Sequence, residues 1–119
     1  MLINGLFNAH SILREDGKIT AAVAIAAGHA IFEGHFPTQP VTPGVLQLQL
    51  VKELIAEVID RNLMLSTIGR CKFLAVWDPR NHPEIEVDIN YTEENGELRA
   101  SATGAKDETV FFKFSAVYR

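Results

Sequence analysis

Thr42-Pro43-Gly44-Val45-Leu46-Gln47-Leu48-Gln49-Leu50-Val51-Lys52-Glu53-Leu54-Ile55-Ala56-Glu57-Val58-Ile59-Asp60-Arg61 is the stretch on which the fold turns. Thr42 can cap a helix with its hydroxyl, and Pro43 suits a first helical position because its missing N–H is not needed there. No breaker follows from Val45 to about Arg61. Apolar residues fall at Val45, Leu46, Leu48, Leu50, Val51, Leu54, Ile55, Val58 and Ile59, which is wider than one stripe. A helix this apolar is expected to be largely buried.

Outward from the helix, the sequence reads as strands. Before it, residues 6–14 form a candidate strand, Glu15-Asp16-Gly17 a tight turn, and Lys18 to Ala27 the return strand. The alanines of that return run favour helix by propensity, so its β assignment rests on its β-branched residues and the turn before it. Gly28 to Pro43 is rich in proline and glycine and reads as a structured loop. After the helix come four runs of β character, about Thr67–Trp77, Glu84–Tyr91, Glu97–Gly104 and Thr109–Tyr118. Ile85, Val87, Ile89 and Tyr91 alternate with Glu86, Asp88 and Asn90, the pattern of a half-buried strand. Asn95-Gly96 and Lys106-Asp107-Glu108 have the composition of hairpin turns. The expectation is an α+β domain over residues 1–119, one long helix enclosed by a curved antiparallel sheet.

Bulk properties narrow the classes of function. A net charge of −4 with no basic run excludes a nucleic-acid footprint. No run of about 18 apolar residues exists to span a membrane. The opening Met1-Leu2-Ile3-Asn4-Gly5-Leu6-Phe7 lacks the basic flank of a secretory signal. With one cysteine, Cys71, no disulfide forms within the chain, and a reducing, cytoplasmic setting is expected. Cys71 itself reads as a buried strand residue.

Chemistry concentrates in Ile31-Phe32-Glu33-Gly34-His35-Phe36-Pro37-Thr38-Gln39-Pro40-Val41-Thr42-Pro43-Gly44-Val45-Leu46. This segment closely resembles the active-site motif of the 3-hydroxyacyl-[acyl-carrier-protein] dehydratases, F-x-G-H-F-P-x-x-P-V-x-P-G-x-L, and meets every fixed letter. Ile68-Gly69-Arg70-Cys71-Lys72-Phe73-Leu74 is similar to the family's strand after the helix, and the element order matches over nearly the whole chain. The resemblance implies a hot-dog fold and removal of water from a 3-hydroxyacyl thioester carried by ACP or CoA, with no cofactor and no metal. It implies His35 as the base, the backbone N–H of Gly44 as donor to the thioester carbonyl, and Phe36, Pro37, Val41 and Val45 as substrate contacts. The residue types suit that chemistry: a histidine titrating near 6.5 holds a neutral fraction at about pH 7, and a helix N-terminus carries unpaired N–H donors and partial positive charge.

One position departs from the family. Fourteen residues past His35, where the family places Glu or Asp, stands Gln49. An amide donates a hydrogen bond but delivers no proton. Glu53, one helical turn on, and Glu33, two residues before His35, are the candidate surrogates. In the family the base and acid of one site come from different protomers. A homodimer, or a higher oligomer built from dimers, is therefore expected, and an acid-bearing paralogue would complete a site in a heteromer. The alternatives are thus an active dehydratase, an impaired acyl-binding partner subunit, and a hot-dog thioesterase; the last is disfavoured because those enzymes also place an acid on the helix.

Among the remaining candidates, His10, His29 and His82 read as surface or hydrogen-bonded residues, Trp77-Asp78-Pro79-Arg80 as a strand end and turn, and Phe111, Phe112 and Phe114 as core or interface. Arg70, Lys72 and Lys113 are the cations available to attract an acidic carrier, if the tertiary structure brings them together.

Overall fold

The computed structural model of the chain describes residues 5–32 and 41–119. Strands β1 (Phe7–Glu15) and β2 (Lys18–Ile25) precede a short 3-10 turn at Ala30–Phe32 and the helix α1 (Gly44–Ile59); β3 (Leu65–Phe73), β4 (Glu84–Glu94), β5 (Glu97–Lys106) and β6 (Thr109–Tyr118) follow. All six strands join one antiparallel sheet in the order β1-β2-β4-β5-β6-β3. One helix packed on one such sheet is the expected hot-dog architecture.

Alternation decides which face is inner. Ile19, Ala21, Val23 and Ile25 of β2 and Ile85, Val87 and Ile89 of β4 are buried, and so are Leu98, Ala100 and Ala102 of β5 and Phe112, Phe114, Ala116 and Tyr118 of β6. They form one cluster with Leu50, Val51, Leu54 and Ile55 of the helix. The alanines of β2 stay in a strand because pairing on both sides and burial against the helix override their helical propensity. The two-residue turns carry the required positive φ at Gly17 (72°), Asn95 (53°), Gly96 (80°) and Asp107 (53°).

Four expectations need correction. First, β3 stops at Phe73 and does not run on to Trp77. Trp77 leaves the sheet and is fully buried, its indole N–H donating to the His82 carbonyl at 2.9 Å, so a core tryptophan here belongs to a loop. Second, the Thr42 hydroxyl does not cap α1. Pro43 holds the N-cap position with no side-chain bond. Thr42 is buried instead, and its backbone N–H donates to the Trp77 carbonyl at 3.0 Å. Third, Cys71 is exposed, because β3 lies at the sheet's edge with every residue open to solvent. Fourth, the helix is not enclosed throughout: Gln47, Leu50, Val51, Leu54 and Ile55 are buried, while Val45 is 70% exposed.

Candidate active site

The start of α1 is held by polar contacts that the sequence pattern only half reveals. Gln47 is buried and donates its amide to the Thr42 carbonyl at 2.9 Å, tying the helix to the chain that leads into it. Spacing gives the signal for Gln47, since it precedes Leu50, Val51 and Leu54 by three, four and seven residues on the buried stripe. The N–H groups of Leu46 and Gln47 both return to the Pro43 carbonyl. Those of Gly44 and Val45 have no acceptor among the described residues, as expected of the first N–H groups of a helix.

The Phe73 ring lies close against Gly44. A Cβ there would meet Cζ of Phe73 at 2.7 Å, inside any normal contact. Phe73, the last residue of β3, is half-exposed, so its ring lies over the helix N-terminus with one side open.

Gln49 lies one turn further along. It lines an apolar concavity of about 130 Å³ with Val45, Leu48 and Lys52 of the helix, Leu65 and Ile68 of β3, and Phe114 and Tyr118 of β6. The fold therefore brings Val45 and Gln49 together and places Gly44 at the same end of the helix. Val41 is half-buried beside Thr42 but does not line this concavity. His35, Phe36 and Pro37, with Glu33, lie outside the described residues. Glu53 is not part of the wall around Gln49; one of its carboxylate oxygens is sealed from solvent with no hydrogen-bond partner among the described residues.

Tyr118 is the functional candidate that sequence reasoning passed over, because a C-terminal strand aromatic reads as core. Burial pushes its phenol up to about 12, so the hydroxyl stays protonated and can only donate or accept hydrogen bonds at neutral pH. Among the described residues no group of His, Cys, Asp or Glu is arranged to hold a metal ion, and no helix is long and apolar enough to cross a membrane. His10 bonds Glu84 at 2.9 Å, and the His29 ring accepts from the Ile31 N–H.

Comparison with known proteins adds three findings. The chain is 30% identical over 84 residues to the 3-hydroxyacyl-[acyl-carrier-protein] dehydratase FabZ of Oceanobacillus iheyensis, covering 65% of this chain and 60% of that protein. It is 34% identical over 83 residues to the FabZ of Bacillus velezensis, covering 63% and 59%. The match thus spans about three-fifths of the curated relatives' length. In structure it is similar to the dehydratase heterocomplex ApeI:P from Xenorhabdus doucetiae, with a TM-score of 0.74, 18% identity, and coverage of 93% of this chain and 96% of that one. It is also similar to Cj0977, a sigma28-regulated virulence protein from Campylobacter jejuni, with a TM-score of 0.68, 11% identity, and coverage of 98% and 85%. At those identities the structural likeness speaks for the fold alone. The sequence itself matches the ApeI-like family, described as ApeI dehydratase, over residues 11–112, and the chain belongs to that family.

Proposed function

We propose that the chain acts in the dehydration of a 3-hydroxyacyl thioester to a trans-2-enoyl thioester. The observation that carries the reading is the placement of Gln49 and Val45 in an apolar concavity at the N-terminal end of the helix, where the N–H groups of Gly44 and Val45 have no acceptor among the described residues. In this scheme a neutral His35 imidazole takes the C2 proton. The carbonyl oxygen gains charge as that bond breaks, and the helix N–H donors stabilise it. The C3–O bond then breaks, and the hydroxyl leaves with a proton that Gln49 cannot supply. Gln49 holds the departing oxygen by a hydrogen bond, so elimination is slow unless a second acid takes part.

The assembly follows from exposed apolar surface. Met64 (73% exposed), Leu65 (45%), Ile68 (38%), Phe73 (48%), Leu74 (55%) and Val76 (59%) line the edge strand β3 and its flanks, beside Val45. An open strand edge with this much apolar surface is a template for pairing. A second copy joined edge to edge through β3 would cover it and bring a partner's helix N-terminus towards Gln49. A heteromer is the second reading, favoured by the missing acid at position 49 and by the heteromeric nature of the ApeI:P neighbour. There, an acid-bearing paralogue completes the site that uses His35 of this chain. A cytoplasmic setting suits the lone, exposed thiol of Cys71.

The test is enoyl absorbance on mixing purified chain with 3-hydroxyacyl-ACP and 3-hydroxyacyl-CoA. Gln49→Glu is close to isosteric and restores a titratable group, so turnover should rise by about 10²–10⁴. His35→Ala should abolish the gain. Full wild-type activity with no response at position 49 would place the acid elsewhere, with Glu53 and Glu33 the first to replace. Tight acyl-thioester binding without turnover in either form would favour the heteromer.

A further inference from the structure

The concavity that holds Gln49 has two unlike ends. Phe73 lies against Gly44, and β3 runs back from Phe73 to Leu65, so Leu65 and its register partner Tyr118 on β6 lie away from the helix N-terminus. On the helix, Lys52 is the lining residue furthest from that start, about 12 Å of helical rise beyond Gly44. The walls between are apolar, with Val45, Leu48, Ile68 and Phe114. The far end is not. Lys52 is half-buried, and among the described residues no carboxylate pairs with it. Tyr118 is buried, and its hydroxyl has no hydrogen-bond partner among the described residues. Burial alone accounts for its raised phenol, which keeps its proton to donate. The concavity therefore ends in an ammonium and a hydroxyl, with no carboxylate anywhere in its wall. A wholly apolar chain reaching that end would strip water from both donors and return no acceptor, which costs free energy.

We propose that this end of the concavity selects an acyl group whose tail carries a carboxylate, held between Lys52 and Tyr118. The proposal rests on the reading of the Gln49 concavity as an acyl-thioester site and names the substrate class that the site takes. The thioester carbonyl then lies at the Gly44 end, the carbon that loses its hydroxyl beside Gln49, and the tail carboxylate beyond it. A carboxylate accepts from the ammonium and the phenol together, and hydrogen bonds with an ionised partner are the stronger kind. An uncharged oxygen on the tail would satisfy the phenol but leave the Lys52 charge without a counterion. The volume of about 130 Å³ suits a short chain, which brings the carboxylate within a few carbons of the reacting centre.

Binding tests the idea independently of turnover. Hexanoyl and adipoyl thioesters have the same number of acyl carbons and differ in the carboxylate at the tail; neither has a 3-hydroxyl to eliminate. Both are titrated into the chain by calorimetry, each carried on CoA and on ACP. The adipoyl thioester should bind about tenfold or more tighter than the hexanoyl one, since a charge-assisted bond is worth at least that factor. Lys52→Met keeps the length of the side chain and removes its charge. It should reverse the order, weakening adipoyl binding by about tenfold or more while hexanoyl binding tightens. Lys52→Gln should also lose the preference for adipoyl, and Tyr118→Phe should reduce it by a smaller factor. Equal affinity of the wild type for the two tails would overturn the proposal. So would tighter hexanoyl binding, an equal loss of both in the Lys52 variants, or no binding of either on both carriers. The two readings fail separately. Dehydration of a 3-hydroxyhexanoyl thioester with no preference for adipoyl would keep the dehydratase reading and sink the carboxylate site. A preference for adipoyl in a chain that dehydrates no 3-hydroxyacyl thioester, even as Gln49→Glu, would keep the carboxylate site and sink the dehydratase reading.

Discussion

At the scale of single residues, Gly44 and Tyr118 make the sharpest demands. A methyl at Gly44 would sit 2.7 Å from the ring of Phe73, yet that ring is half-exposed and free to swing aside. Gly44→Ala is therefore expected to change stability by less than about 1 kcal/mol, since alanine's helical preference over glycine is of that size. Measured in the Gln49→Glu background, its turnover should fall by about tenfold or more on the proposed mechanism, because the displaced ring and the new methyl would crowd the N–H donors assigned to the carbonyl. Adding Phe73→Ala should recover part of the loss. Tyr118 makes its demand through pH. Its phenol titrates near 12 in the fold against 10.0 ordinarily, so the folded protein holds the proton more tightly than the unfolded chain. Stability from this group is complete below pH 10 and is lost as pH rises through 12. Denaturant midpoints over that window should fall for the wild type, and the fall should be smaller in Tyr118→Phe.

Among the elements, the loop between β3 and β4 does most to set the helix start. Trp77 is fully buried and stacks near Phe7 with ring centroids 5.6 Å apart, while its carbonyl receives the Thr42 N–H. Asp78 accepts from the Arg80 backbone N–H at 2.9 Å and from its guanidinium at 3.0 and 3.2 Å, closing the turn. The hydrogen bonds from Arg80 hold the Asp78 carboxyl below its ordinary value of 3.8. That contribution is present above pH 3.8 and is lost as acid titrates the carboxyl below it. Trp77→Ala removes both a core side chain and the indole bond, and should cost about 3–5 kcal/mol in urea unfolding, as for other buried tryptophans. Trp77→Phe should recover much of the packing but leave the His82 carbonyl without its donor.

For the molecule as a whole, the exposed edge is the feature that an isolated chain explains least. A chain of 13.2 kDa with Leu65, Ile68, Phe73 and Leu74 open on one edge strand is expected to scatter light as a pair of about 26 kDa, twice the chain mass. Ile68→Glu places a charge in that surface and should shift the measured mass to that of a single chain. On the proposed two-protomer site, the same substitution should remove any activity gained by Gln49→Glu. A monomeric wild type would sink the edge-to-edge arrangement.

The order of elements, the helix and the hairpin turns were legible in the residues, because periodicity and turn chemistry are local and each reports its own segment. Gly44 and Gln49 were singled out as candidate site positions for a different reason: they belong to, or stand at a fixed offset from, the sixteen residues 31–46 whose pattern is specific. Tertiary structure alone decided the rest. Cys71 is exposed because β3 falls at an edge, and strand order is a property of pairing between distant segments. Trp77 is core and Thr42 is no cap in a fold that puts Pro43 at the N-cap and joins the Thr42 N–H to a loop carbonyl more than thirty residues away. Tyr118 enters the wall of the Gln49 concavity, and Arg70, Lys72 and Lys113 converge on one outer-face hollow, because β3 and β6, far apart in sequence, lie side by side.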